Sequence, residues 1–229
     1  VRIEALPSTA TAQREQMVRR LAARDSSIDL VSLDVVFTPE FANAGFIRPF
    51  TEEEAQRLTA GMLPSPVETG MWDDQLFGLP YKSNTQLLWY RKSLADAAGV
   101  DPTSPTFTWD EMFKAAVGQD KKIAVQAQRY EGYMVWINAL VLSAGGEILK
   151  NVDAGRDAEP SMASPAGDKA AEIVGTIARS SAAPADLSNA AEEQARATFQ
   201  SDDGMFMLNW PYVLAAARSA AEEGTLAQA

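Results

Sequence analysis

The run Met205-Phe206-Met207-Leu208-Asn209-Trp210-Pro211-Tyr212 carries the strongest fold signal in this chain. Its four consecutive apolar residues predict a short strand that is buried on both faces. Pro211 has no N–H to donate to a sheet ladder, so the strand should stop just before it. The strand then ends by presenting an amide, an indole and a phenol. Because ligands of open α/β sheets bind beyond the carboxyl ends of strands, this segment is a candidate binding site.

Composition excludes several classes of function. The chain has 229 residues, of which 46% are hydrophobic and 22% charged, as is usual for a globular protein. Its net charge of −11 would repel nucleic acid and gain nothing from an anionic membrane. The sequence contains no cysteine and no histidine, which excludes thiol nucleophiles, imidazole bases and thiolate metal sites. We expect no cofactor and no metal.

Hydrophobic periodicity predicts an α/β fold, because strands alternate with helices along the chain. The predicted strands are residues 1–7, 28–37, 86–90, 123–127 and 205–208. The predicted helices are residues 11–24, 51 onward, 108–118, 134–144, 168–179, 189–199 and 215–229, with a loop at 151–167. The pairs Thr51/Glu54 and Thr108/Glu111 match capping boxes, which mark helix starts. In the first helix, the arginines (Arg14, Arg19, Arg20 and Arg24) are expected to lie mostly outside.

Four segments place an acid or an amide within a few residues of an aromatic ring, each after an apolar run. They are residues 34–45, 77–84, 130–133 and the opening segment 205–212. Carboxylates accept hydrogen bonds from sugar hydroxyls, and aromatic rings stack on the apolar face of a sugar. The same residues also suit turns, helix N-terminal charges and core packing, so both interpretations stay open.

Adjacent acids at residues 52–54, 73–74 and 202–203 raise the alternative of a carboxylate-dependent glycosidase. Such clusters in polar stretches are usually solvated turns or helix starts. Nothing in the sequence indicates the raised pKa that a catalytic acid needs.

The order of the segments resembles the extracellular sugar-binding proteins of ABC importers. The resemblance rests on residues 33–47, 76–81, 88–94, 108–111, 142–147 and 197–212. These blocks match the family patterns "DV…EFA..G", "YGLPY", "LLYYRKDL", "TWDEL", "AGGE" and "A…F..G.aAM…GPW". Within the family, Lys82-Ser83-Asn84-Thr85 and Asn209-Trp210-Pro211-Tyr212 are most similar to the trehalose-binding lipoproteins of mycobacterial importers.

The resemblance implies a two-lobe, periplasmic-binding-protein-like α/β fold of type II, with the lobes joined by a hinge and closing over a sugar. Residues 1–85 would belong to the N-terminal lobe and residues 86–229 to the C-terminal lobe. The family's first strand and helix would precede Val1, and its return segment would follow Ala229, so the chain is expected to be truncated at both ends. An extracytoplasmic location, as a lipoprotein or in the periplasm, is implied as well.

The same resemblance implies that the chain is a monomer that binds an oligosaccharide and delivers it to ABC transporter permease subunits, with no chemical step. A disaccharide such as trehalose is expected, with maltose or another glucoside as the alternative, and a sensing receptor domain as a further one. The implied ligand contacts are Asp34, Glu40, Asn84, Glu131 and Trp210, followed by Tyr81, Tyr133, Asn209, Tyr212 and Glu192.

Overall fold

The computed structural model describes residues 2–222, so Val1 and residues 223–229 lie outside the described part. The chain divides into two compact units. Unit 1 consists of Val1–Ser83 with Asp153–Arg156, and unit 2 consists of Asn84–Val152 with Asp157–Ala229. Within residues 2–222, none of the helices combines the length and the apolar character needed to cross a membrane.

Unit 1 is built mainly from helices around a small core. Its elements are α1 (Ala10–Ala22), α2 (Thr38–Asn43), α3 (Glu52–Thr59), α4 (Pro64–Glu68), β1 (Met71–Trp72) and β2 (Gln75–Leu76). The two strands pair antiparallel, with Met71 opposite Leu76. Phe41 is fully buried and contacts the Phe46 ring edge-on at 5.7 Å between centroids. The predicted helix at 11–24 is therefore confirmed as α1, which buries Met17.

Two predicted strands of unit 1 do not form. Residues 2–7 have no regular structure, and residue 1 lies outside the described part. Residues 28–34 are also irregular, and Val35–Phe37 forms a single 3₁₀ turn. A strand needs a neighbour for its N–H and C=O groups, and within residues 2–222 no segment pairs with either stretch. Some of their apolar side chains are consequently exposed, Leu30 to 92% and Ile3 to 88%, whereas Leu6, Ile28, Val31 and Leu33 are half-buried.

Unit 2 contains a three-stranded sheet in the order β3-β7-β4. Its elements are β3 (Leu87–Tyr90), α5 (Lys92–Ala98), α6 (Trp109–Gly118), β4 (Lys122–Ala124), α7 (Glu131–Ser143), β5 (Leu149–Lys150), β6 (Glu159–Pro160), α8 (Pro165–Ala178), α9 (Glu192–Gln200), β7 (Gly204–Asn209) and α10 (Val213–Glu222). Strand β3 runs antiparallel to β7, and β4 runs parallel to it.

The central strand β7 is buried on both faces, as predicted, because helices cover the sheet on each side. On one face, Phe206 and Ile123 pack against residues of α6, α7 and α8. On the other, Met207 and Ala124 pack against Ala195 of α9 and Val213 of α10. Met205, Phe206 and Met207 are fully inaccessible to solvent. The strand ends at Asn209, two residues before Pro211, so its predicted end is also confirmed.

Both predicted capping boxes are confirmed. Thr51 and Thr108 both accept a hydrogen bond from the backbone of the glutamate three residues on, and each glutamate reaches back, which completes both capping boxes. Helix α7 begins three residues earlier than predicted, and Gly145 beyond its end has a φ of +79°.

Several other predicted boundaries were wrong. The strand predicted at 123–127 ends at Ala124, and the helix predicted at 189–199 begins only at Glu192, after a 3₁₀ turn. The loop predicted at 151–167 contains β6 and the first turn of α8. Pro165 occupies the first turn of that helix, where proline is favoured. The predicted helix at 215–229 corresponds to α10, and its residues 223–229 lie outside the described part.

Candidate functional site

The predicted contacts of unit 2 gather at the carboxyl edge of its sheet. Strands β4 and β7 are parallel, so the segments that follow them leave the sheet at the same edge. Tyr130 and Glu131 come after β4, and Trp210 comes directly after β7. The start of α9 is held at this edge, because the backbone N–H groups of residues 127 and 128 donate to the carbonyl of Ala190, both at 3.0 Å.

Asn209 organises this edge from within. It is fully buried, and its Nδ2 donates to the carbonyl of Glu192 at 3.0 Å. Its Oδ1 accepts from the backbone N–H of Trp210 at 2.8 Å, and its own carbonyl accepts from Nε1 of Trp89 at 3.2 Å. Both amide atoms therefore have internal partners. Asn209 thereby links the backbone of Trp210 to the first turn of α9.

The aromatic residues at the edge differ in how much of each ring remains available. Trp210 is half-buried, and Tyr212 is 38% exposed. Tyr133 is half-buried and packs against the fully buried Trp136 at 6.0 Å between ring centroids, so part of its surface belongs to the core. Burial raises the pKa of Tyr212, and the hydrogen bond with Glu193 adds to this, so its phenol is neutral at physiological pH.

Tyr130 belongs to this cluster, although it is not among the contacts implied by the family resemblance. It precedes the first residue of α7, and a Cβ added to Gly132 would lie 2.3 Å from its hydroxyl oxygen. Burial raises the pKa of the Tyr130 phenol, and the charges of Glu192 and Glu131 raise it further. The available signal was the glycine in the Tyr-Glu-Gly-Tyr run, since a glycine in a helical first turn indicates a close approach.

The two carboxylates of the edge occupy equivalent positions on their helices. Glu131 lies in the first turn of α7, and Glu192 lies in the first turn of α9. A helix N-terminus favours a negative charge there. This placement is consistent with both interpretations left open by the sequence, a helix-stabilising charge and an acceptor for ligand hydroxyls.

In unit 1, Glu40 is already paired. It lies in α2, and its carboxylate accepts two hydrogen bonds from Arg14, one of them from Nε at 2.6 Å. The Glu40 hydrogen bond raises the pKa of Arg14, and the guanidinium lies 6.0 Å from the centre of the Phe37 ring. Arg14, which was expected to lie mostly outside, has a side chain that is 34% exposed and contacts α2 through this pair. The signal was its spacing, since Arg14 is three residues before Met17 on the buried face of α1.

The remaining predicted contacts are exposed. Asp34 precedes the 3₁₀ turn of unit 1, and its carbonyl accepts from the N–H of Phe37 at 3.0 Å. Tyr81 is 76% exposed, with Nζ of Lys82 at 5.6 Å from its ring centre. Asn84 is exposed and begins unit 2. Unit 2 thus gathers Glu131, Tyr133, Glu192, Asn209, Trp210 and Tyr212 at one edge, whereas Asp34, Glu40 and Tyr81 belong to unit 1.

Comparisons with known proteins agree over nearly the whole chain. A probable ABC transporter-binding protein of Deinococcus radiodurans is 25% identical over 230 residues, which cover 94% of this chain and 52% of that protein. The structure of maltose-bound T. maritima MalE3 matches with a TM-score of 0.80 at 29% identity, over 93% of this chain and 54% of that one. The GacH receptor of Streptomyces glaucescens shares the fold, with a TM-score of 0.72 at 20% identity, over 94% and 54% of the two chains.

These matches confirm the predicted fold class, the type II α/β fold of periplasmic sugar-binding proteins. The chain spans about half the length of the relatives that it matches. Residues 1–228 match the family model described as bacterial extracellular solute-binding protein. The chain therefore belongs to the bacterial extracellular solute-binding proteins.

Proposed function

We propose that this chain forms part of a carbohydrate-binding protein that serves an ABC importer. The carboxyl edge of unit 2 carries the proposal, because the buried Asn209 side chain accepts from the N–H of Trp210 at 2.8 Å and donates to the carbonyl of Glu192 at 3.0 Å, which holds an indole and the acidic first turn of α9 at one edge. The indole of Trp210 is half-buried. Rings that stack on a sugar face and carboxylates that accept its hydroxyl hydrogens are what a neutral sugar needs.

The family context supports binding without catalysis. Members of this family are substrate-binding proteins of ABC transporters and not enzymes. The MalE3 structure, at 29% identity, is described as maltose-bound, which favours a sugar as the ligand here. A glycosidase has no comparable observation in its favour.

The ligand that we propose is a glucose disaccharide, trehalose or maltose. A monomer would bind it outside the cytoplasm and pass it to permease subunits. Units 1 and 2 would be parts of the N-terminal and C-terminal lobes of this family's fold, and a lipid anchor would hold the protein at the membrane.

A thermal-shift screen with trehalose, maltose and mannitol tests the ligand, because a ligand that binds the native state raises its unfolding temperature. No shift with either disaccharide at millimolar concentration would contradict the proposal.

Trp210→Ala tests the site itself. Loss of the indole should weaken disaccharide binding at least about ten-fold, which corresponds to about 1.4 kcal/mol, measured by titration calorimetry. Trp109→Ala is the matched control, since Trp109 is also a half-buried tryptophan of unit 2. Trp109 is the first residue of α6, and its ring packs against the ring of Trp136 in α7. Equal affinities of the two variants would remove Trp210 from the site.

A further inference from the structure

A buried glutamine lies at the carboxyl edge without any place in the predicted site. Gln126 follows β4 and is fully inaccessible to solvent. Its Nε2 donates to the carbonyl of Leu208 at 2.7 Å, and its Oε1 accepts from Nε2 of Gln86 at 3.3 Å. A buried amide is retained at low cost only when its partners are met, so Gln126 depends on both contacts.

The chemistry of the partners fixes the direction of this chain of amides. A backbone carbonyl can only accept, so Gln126 must turn its Nε2 toward Leu208. Its Oε1 then faces Gln86, which must donate a hydrogen bond from its own Nε2. The Oε1 of Gln86 is left buried and has no hydrogen-bond partner among residues 2–222. The arrangement thus has one allowed orientation, which makes it sensitive to the loss of any member.

The chain of amides connects segments that bear predicted ligand contacts. Gln86 lies two residues after Asn84, and Leu208 lies two residues before Trp210. Asn209, next to Leu208, continues the connection to the carbonyl of Glu192 and the N–H of Trp210. Gln126 therefore holds the start of unit 2 against the end of β7, where the aromatic residues begin.

We propose that Gln126 is a positioning residue of the sugar site. It touches no ligand. It sets the distance between the Asn84 segment and the Trp210 segment by hydrogen bonding to both neighbours at once. This inference rests on the proposed function, because positioning has a measurable consequence only where a ligand binds.

The experiment compares Gln126→Met with Gln119→Met. Gln119 makes the same kind of bond, with its Nε2 donating to the carbonyl of Leu94 at 2.7 Å, but it lies just beyond the end of α6. Both variants are titrated with maltose and with trehalose by calorimetry, and their unfolding temperatures are measured. We expect Gln126→Met to weaken binding ten-fold or more, and Gln119→Met to stay within two-fold of wild type.

A spectroscopic readout separates positioning from stability alone. The change in tryptophan emission on adding saturating disaccharide is measured for each protein and for the same protein carrying Trp210→Phe. The difference between the two changes is the part that depends on Trp210. This part should shrink in Gln126→Met and persist in Gln119→Met. If Gln126→Met does not fold, Gln86→Met breaks the same chain from its partly buried end and should weaken binding at least three-fold.

The outcomes separate the two proposals. If the wild-type protein binds neither disaccharide, the proposed function fails, and the positioning role fails with it. If wild type binds and Gln126→Met, or Gln86→Met in its place, keeps the affinity and emission change of Gln119→Met, only the positioning role is overturned.

Discussion

Unit 1 and unit 2 bury their apolar residues to very different degrees. In unit 2 both faces of the sheet are covered, and Phe206, Met207 and Ile123 are at most 1% exposed. In unit 1 Phe41 is fully buried, yet Leu30 and Ile3 are 92% and 88% exposed. The sheets explain the contrast, because the unit 1 pair β1–β2 has two residues in each strand, whereas β7 of unit 2 has a neighbour on both sides. An apolar run becomes a buried strand only where another strand completes its backbone hydrogen bonds.

The largest expected effect comes from replacing one buried phenylalanine in the core of each unit by alanine. Phe206→Ala should lower the free energy of unfolding of unit 2 by about 3–5 kcal/mol, since it removes a fully buried ring that packs against the Phe107 ring. Phe41→Ala removes the equivalent ring from unit 1. Hydrogen exchange followed by mass spectrometry should show faster exchange of β3, β4 and β7 in the first variant, and of α1 and α2 in the second.

This pair of variants also tests whether the two units unfold independently. If Phe41→Ala accelerates exchange in β7 as strongly as in α2, the two units unfold together. The small core of unit 1 would then be stabilised by unit 2 rather than by its own contacts.

A smaller effect is expected from the two capping boxes, which match residue for residue. Thr51 caps α3 in unit 1 and Thr108 caps α6 in unit 2, each with a glutamate three residues on. Thr51→Ala and Thr108→Ala should each cost about 1 kcal/mol, because each leaves a helix N–H without its acceptor. Chemical denaturation should register each loss in its own unit, and the serine variants should restore stability. A loss that serine does not restore would show that the methyl group, not the hydroxyl, matters.

These caps illustrate what the sequence could predict. The Thr-x-x-Glu pattern and the apolar run before Pro211 are local signals, in which the residues that make the structure lie within a few positions of each other. The runs at 2–7 and 28–34 also carried strand signals but formed no strand, because a strand depends on a distant partner that no local pattern encodes.

The candidate site shows the same limit. Its position after β7 followed from Pro211 and the rule for sheet edges. The pairing of Arg14 with Glu40 joins residues 26 positions apart, and the bond from Gln126 to Leu208 spans 82 positions. Contacts of that separation arise only once the chain has folded, so a polar side chain that looked like a free contact can prove to have an internal partner.

The smallest expected effect concerns acid stability. Asp25 in unit 1 and Asp101 in unit 2 each accept hydrogen bonds from the hydroxyl and the backbone N–H of the residue two positions on, Ser27 and Thr103. Those bonds lower both pKa values. Arg20 also donates to Asp25 at 2.7 Å, and the pKa of Asp25 falls from 3.8 to about 2, with the Ser27 hydroxyl as the largest cause.

Because the pKa of Asp25 is lowered in the folded state, its carboxylate stabilises unit 1 above pH 3.8, and this contribution is lost as the pH falls to about 2. Asp25→Asn should remove that part of the acid dependence from unit 1, and Asp101→Asn should act more weakly and on unit 2, since no arginine donates to Asp101 among residues 2–222. Carboxyl pKa values measured by NMR, with acid unfolding of both variants, test the pair. An Asp25 that titrates near its ordinary value, or no lower than Asp101, would mean that the Arg20 contact does not hold in solution and that the N-terminal part of unit 1 is less ordered than its hydrogen bonds indicate.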